Sequence, residues 1–378
     1  MRKFILLLIT VFGGLILVGC NDKPNKTEKP KYEKDYLVKN VYDGKTIYNE
    51  TVVLIKDGDT ISGNLLYEPT KIIEVKNYSL TKDYDATEYE INGRTIRATA
   101  TSTMPYLTKE ALQGINMPAD FGFDTQPGYK NGPEVIFTEG FGIVAHQISV
   151  TYEHNSQWNG FTQEYKGELL PKTIDKLSKG EKLNIVFNGD SIMTGCNSSA
   201  KLAIPPYLED FPTLICNKLK AYYKSEINLF NTSVGGKLSD FGRDNVDGNV
   251  NVYKPDLVVI GYGMNDGSWN ISPLTYQYNI EFMIQSIKSR NPNAEVIIVS
   301  TILANPLAVQ NSIQDTYLPY LQELESKYEG VALVDMTSFS QDLYKLKNSV
   351  DVLANNINHP SDFLVRCYAD NILRAIMK

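Results

Sequence analysis

Two regimes of hydrophobic patterning divide the chain, and the change falls near Leu170. Beyond it, short apolar runs alternate with longer stretches of helical periodicity. Residues 183–187 form a partly β-branched apolar run that stops at Asn188-Gly189, which reads as a buried strand ending in a turn. A helical stretch over about 207–225 follows, then strands at 227–230 and 256–261 with a short helix near 238–245 between them. An amphipathic run at 274–289 leads into a strand at 295–300, a helix at 315–327 into a strand at 331–334, and helices at 339–345 and from about 361 close the series. Apolar strand, helix and apolar strand repeated in this way predict parallel strands with helices on both faces, an α/β fold.

Before Leu170 the pattern is β-rich. Residues 51–55 and 71–75 are β-branched runs, and Asp43-Gly44 and Asp57-Gly58 are turn signals. Residues 87–91 and 94–98 are two strand-like runs joined by Asn92-Gly93, a favoured pair for a two-residue hairpin loop. Residues 141–152 look like one more strand, and His146 and His154 beside it are expected to be hydrogen-bonded structural residues. A sandwich-type domain is expected over residues 36–165, ahead of an α/β domain over 166–378.

The first residues belong to neither. Arg2 and Lys3 precede an apolar run over residues 4–18, the n- and h-regions of a secretory signal, and too short a run for the ~20 residues of a membrane span. It ends Leu17-Val18-Gly19-Cys20, which resembles a bacterial lipoprotein processing site. The resemblance implies removal of residues 1–19 and lipidation of Cys20, so that the mature protein is exported and anchored to the cell membrane or surface, with an uncleaved anchor as the alternative. Residues 20–35, rich in Lys, Asn, Glu and Pro, would be a flexible tether.

Charge and cysteine usage narrow the chemistry. A formal net charge of −7 argues against nucleic acid as a partner, whose phosphates need clustered Lys and Arg, and favours a neutral substrate. Beyond Cys20 there are Cys196, Cys216 and Cys367, with no C-x-x-C pair, and the chain holds 3 histidines. That argues against a disulfide framework and against a metal centre. Asp240, Asp244 and Asp247 miss the spacing of an EF-hand calcium loop. Met193 occupies the last glycine position of a G-x-S-x-G elbow, and no P-loop or G-x-G-x-x-G is present.

Ligands of an open parallel sheet bind outside the carboxyl ends of its strands. Polar residues gather at those ends: Gly189-Asp190-Ser191 after the first strand, Gly235-Gly236 after the second, Gly263-Met264-Asn265-Asp266 after the third, and Asn356-Ile357-Asn358-His359 before the last helix. A hydroxyl, glycine amides, an amide side chain and an imidazole form the inventory of acyl transfer.

These blocks, in this order, resemble the Ser, Gly, Asn and His blocks of the SGNH/GDSL hydrolase family, over about residues 182–378. The resemblance implies a flavodoxin-like three-layer α/β/α domain, here preceded by a smaller β-sandwich-type domain, and ester hydrolysis without a cofactor. Ser191 would be the nucleophile and His359 its base, with Ser191, Gly236 and Asn265 supplying the oxyanion hole. A turn capping the following helix is the other account of Asn265-Asp266. The family usually carries Asp three residues before the histidine, where this chain has Asn356. Asn356 would orient His359 through its carbonyl oxygen, Asp362 or another carboxylate would substitute, or the site would run as a Ser-His dyad. Trp269 is expected at the rim, either stacking on a sugar ring or packing. By family analogy the substrate would be O-acetyl groups on a polysaccharide. The alternatives are lipase- or thioesterase-like action on acyl esters and a non-catalytic glycan-binding surface lipoprotein.

Overall fold

The computed structural model describes residues 41 and 44–378, all within one unit. The signal segment 1–19, Cys20 and the tether 20–35 lie outside the described residues.

Five parallel strands form the central sheet, in the order Ile227–Asn231, Leu183–Gly189, Leu257–Gly261, Glu295–Val299, Val331–Val334. Alternation along each strand sends side chains to two cores. Ile185, Phe187, Leu257, Val259, Ile297, Val299, Ala332 and Val334 enter one hydrophobic cluster; Val186, Val258, Ile260, Val296, Ile298, Val331 and Leu333 enter the other. Helices Phe211–Tyr223 and Asp362–Ile376 cover the first face, and Ser239–Asn249, Pro273–Arg290 and Leu318–Lys327 cover the second. Both faces are covered by helices, which is why the strands read as continuous apolar runs.

The strand order reverses beside the first strand of the series, so the residues after Leu183–Gly189 stand at the topological switch point. Close approach there depends on glycine: a Cβ on Gly189 would lie 2.2 Å from the carbonyl oxygen of Gly261 on the adjoining strand.

The N-terminal half is β-rich. Gln147–His154 is the middle strand of an antiparallel sheet between Thr46–Val53 and Pro69–Asn77. A second sheet runs Tyr89–Asn92, Thr95–Ala98, Thr60–Asn64, Ile55–Asp57, Leu107–Thr108, and Asp124–Gln126 pairs with Val135–Phe137. Asn92 pairs with Thr95, so the hairpin loop is Gly93-Arg94, one residue later than the Asn92-Gly93 pair implied, with Gly93 at φ 56° taking the first loop position. The expected strand over 141–152 begins instead with a helical turn, Gly142–Ala145, and becomes extended only at Gln147. A short apolar run carries no periodicity to separate the two.

The halves share one hydrophobic cluster that runs from Ile47 through Val150 and Leu177 to Ile376. The last helix is buried on nearly every side, because its outward face lies under Thr46–Val53. Arg366 on that helix donates to the carbonyls of Tyr48 at 2.9 Å and Asn49 at 2.8 Å. Beside it, Glu50, Lys347 and Asp351 form a charged cluster whose side chains are all 0% exposed. Lys347 Nζ lies 2.6 Å from Glu50 Oε1 and donates at 2.6 Å to the carbonyl of Asn64. Glu50 also accepts from the amide of Leu66 and the hydroxyl of Tyr152, and Asp351 accepts from the amide of Val53.

Removing the cation would strand two buried carboxylates. Lys347→Met is therefore expected to lower stability by about 3–5 kcal/mol, read from urea unfolding, and adding Glu50→Gln should recover part of the loss. An unchanged midpoint in Lys347→Met would show that the cluster contributes nothing to holding the halves together.

Candidate active site

Ser191 follows the switch-point strand. Asp190 shapes the turn: its Oδ1 accepts the amide of Ile192 at 3.0 Å, and its own amide donates to the carbonyl of Gly261 at 3.2 Å. Burial, the dominant cause, pushes the Asp190 carboxyl up to about 7, and the nearby charge of Asp266 adds to the rise.

Ser191 and His359 stand 168 positions apart in sequence and meet in space, with Oγ 2.9 Å from Nε2. Each residue is 6% exposed. The loop that carries His359 is shaped by Asn355, whose Oδ1 accepts the amides of Ile357, Asn358 and His359 at 2.9, 2.9 and 3.0 Å. Ala354 and His359 close the loop through a 2.7 Å backbone bond.

The other ring nitrogen meets Asn197 Oδ1 at 2.6 Å. Asn197 cannot be turned around, because its Nδ2 donates to the carbonyls of Glu139 at 2.9 Å and Gly140 at 3.3 Å. With Oδ1 facing the ring, Nδ1 must carry the hydrogen. Nε2 is then the acceptor and takes the Ser191 hydroxyl hydrogen, the arrangement a general base requires. Glu139 Oε2 lies 3.3 Å from the same Nδ1. The Nδ1 hydrogen points first to Asn197 at 2.6 Å, and Glu139 at 3.3 Å is a longer second acceptor that also acts on the ring through its charge. Hydrogen bonding and charge attraction from His359 hold the Glu139 carboxyl below the usual range, against the opposing effect of burial.

Neither residue expected to orient His359 does so. Asn356, at φ 61°, donates from Nδ2 to the carbonyl of Ile136 at 3.0 Å and accepts from Asn305 at 3.2 Å. Its amide is spent on joining the histidine loop to the β-rich half. Asp362 Oδ1 accepts the amide of Ser199 at 2.9 Å, at the start of the last helix. Asn197 and Glu139 are the residues that stand at Nδ1 instead. Asn197 lies six residues past Ser191 in a segment without regular structure, and Glu139 lies in the β-rich half, where no motif marks it.

Two of the expected oxyanion donors, Gly236 and Asn265, meet at one loop that passes Ser191. A Cβ on Gly235 would sit 3.7 Å from Ser191 Cβ, so residues 231–238 pass beside the hydroxyl, and Gly236 holds φ 73° with open space around it. Asn265 Nδ2 donates at 3.0 Å to the carbonyl of Lys237 on that loop. Asp266 anchors the far end, accepting the amide and hydroxyl of Ser239 at the start of the Ser239–Asn249 helix. Trp269 follows the same helical turn as Asn265 and is 74% exposed. Among the described residues no group of three or more His, Cys, Asp or Glu side chains is placed to hold a metal ion. Cys196, Cys216 and Cys367 are free thiols.

Residues 187–362 match the model of the GDSL-like Lipase/Acylhydrolase family. The chain contains a GDSL-like domain. Its parallel sheet between two helical layers is the arrangement of SGNH hydrolases. No curated protein sequence matches the chain. Among solved structures it is similar to a two-domain esterase active on acetylated mannans, co-crystallised with mannopentaose, at 20% identity and a TM-score of 0.45 over 57% of this chain and 55% of that one. The chain thus spans about half the length of that enzyme. A lipase/acylhydrolase from Enterococcus faecalis is 24% identical with a TM-score of 0.41, over 51% of this chain and 95% of that one. A catalytic mutant of an acetylxylan esterase from Geobacillus stearothermophilus is 18% identical with a TM-score of 0.42, over 51% and 94%.

Burial of Asp190 in the GDSL-like domain has a pH signature. Its folded value, about 7, lies above the ordinary 3.8, so its contribution to stability is complete below about pH 4 and is lost as pH rises through 7. Asp190→Asn should gain on the wild type by roughly 4 kcal/mol between pH 4 and pH 8. Urea unfolding at both ends of that interval measures the gain, and parallel stability curves would refute it.

Proposed function

We propose that the protein is a serine esterase in which Ser191 attacks the carbonyl carbon of a carboxylic ester and His359 relays the proton. The observation that carries this is the 2.9 Å contact between Ser191 Oγ and an imidazole nitrogen left free to accept by the Asn197 bond on the other side of the ring. As the Oγ–carbon bond forms, the hydroxyl proton passes to Nε2 and the carbonyl π electrons move onto oxygen. The amides of Ser191 and Gly236 and the side chain of Asn265 are the donors for that oxyanion, and loss of one such donor typically costs ~10²–10³ in rate. Collapse breaks the bond to the alcohol, which leaves with the proton from Nε2. Water then repeats the cycle on the acyl-serine and regenerates the hydroxyl, so the cycle uses only protein groups and water.

The proposed substrate is an O-acetyl group on a neutral polysaccharide. Ser191 and His359 are each 6% exposed, and little free surface around the reacting atoms suits a two-carbon acyl group better than a long chain. Trp269, broadly exposed beside the turn that carries Asn265, offers a flat apolar face to a sugar ring. The net charge of −7 disfavours a polyanionic substrate. Export and lipid anchoring through Cys20 would place the enzyme where such polymers are met.

Turnover of acetylated xylan and p-nitrophenyl acetate should exceed that of long-chain p-nitrophenyl esters. Ser191→Ala and His359→Ala should abolish both turnover and fluorophosphonate labelling, while Asn356→Ala only reduces turnover. A preference for long acyl chains would replace acetyl by a lipase-like substrate class, and full activity in Ser191→Ala would remove the mechanism.

A further inference from the structure

The β-rich half supplies part of the catalytic apparatus. We propose that Glu139, from the turn after strand Val135–Phe137, is the positioning carboxylate of His359, doing the work that an aspartate three residues before the histidine would otherwise do. The inference rests on the esterase reading of the Ser191 site and names a residue that lies outside the 187–362 stretch matching the family model.

A base that takes a proton from serine becomes an imidazolium, and an amide beside it supplies orientation but no compensating charge. Asn356, at the position of the usual aspartate, is neutral and turned away to Ile136 and Asn305. Asn197 fixes the tautomer and is also neutral. Glu139 Oε2, 3.3 Å from Nδ1, is the one carboxylate in ion-pair range of His359 among the described residues. Two nearby carboxylates are otherwise engaged: Asp190 is turned to the amide of Ile192, and Asp362 to the amide of Ser199.

Glu139 is held in register by the active site itself. Asn197 donates to the carbonyls of Glu139 and Gly140, and Asn356 donates to that of Ile136. Two asparagines of the α/β half thus grip the segment that brings the carboxylate, and Gly140 ties back to Thr138 Oγ1 at 3.0 Å. Three hydrogen bonds from the α/β half are more than an idle surface loop needs. The consequence is that the α/β half alone lacks a residue its own chemistry needs.

The test is Glu139→Gln in the full chain, which keeps size and polarity and removes the charge. Because the side chain is 60% exposed, folding should be unaffected, with a melting temperature within about 2 °C of wild type. The value of kcat on p-nitrophenyl acetate should fall about 10- to 100-fold with KM within about twofold, since the lost interaction forms only as the imidazolium does. Glu139→Asp should regain part of kcat. Wild-type kcat in Glu139→Gln, or an equal loss in Glu139→Asp and Glu139→Gln, overturns the inference while leaving the esterase intact, provided wild type turns over and labels at Ser191. A wild-type chain that neither hydrolyses esters nor labels with a fluorophosphonate overturns the esterase reading and this inference together.

Discussion

A lysine without access to water holds this molecule in register. Lys347 Nζ meets Glu50 Oε1 from the first β-rich strand, and Asp351 lies 3.6 Å away on its own segment, all three side chains being 0% exposed. Charges so placed tolerate little sliding, because each ångström of separation in a low-dielectric interior weakens an attraction that only just offsets the desolvation of both ions. Asp351 also accepts the amide of Val53, and Thr51 donates at 2.6 Å to the Asp351 carbonyl, so the residues before the histidine loop are bonded side by side to Thr46–Val53. The loop carrying His359 begins three residues later. Its position is therefore set by the docking of the two halves and not by the parallel sheet alone.

That docking is used twice at the site. The sheet delivers Ser191 at its switch point, and the imidazole arrives on a loop whose turns are made by an asparagine accepting three consecutive amides. What remains is to decide which ring nitrogen holds the hydrogen. A free imidazole samples both tautomers. Here an amide whose nitrogen end is already occupied by two carbonyls can offer only oxygen, and those carbonyls belong to the β-rich half. Protonation at Nδ1 is thus a result of long-range packing, transmitted through one side chain.

The sequence made the sheet legible because both of its faces are covered: strands of four or five consecutive apolar residues have few other uses, and turns follow them closely. Ser191 and His359 could be named because each stands in a short run of glycine, asparagine or proline at an element boundary, where a main-chain requirement and a chemical one coincide. Glu139 and Asn197 offered no such coincidence. One is a glutamate in a turn and the other an asparagine among serines; they stand 58 positions from each other, and Asn197 stands 162 positions from the imidazole that gives both their meaning. Strand Thr46–Val53 was placed too late for a related reason: its buried Glu50 breaks the apolar pattern, and the lysine opposite, with the Leu66 amide and Tyr152 hydroxyl, makes that burial tolerable. The helical turn Gly142–Ala145 was lost in an apolar run too short to show either period.

The amide at 356 follows from the same geometry. An aspartate there would have acceptor oxygens only, leaving the Ile136 carbonyl without its donor and placing a charge in a site 3% exposed. Asn305, which donates to Asn356 Oδ1, is neutral and gives the carboxylate no counter-charge. Once the β-rich half contacts the histidine loop at this point, asparagine satisfies both sides and aspartate satisfies one. The negative charge is then better carried from Glu139, where water still reaches most of the side chain and the cost of keeping it ionised is small. Moving the charge to the periphery weakens each interaction with the ring through solvent screening, and the neutral bond from Asn197 restores the orientation that a screened carboxylate would enforce poorly. Orientation and charge, which one aspartate usually provides together, are here divided between two residues because the covering β-rich half occupies the place where that aspartate would stand.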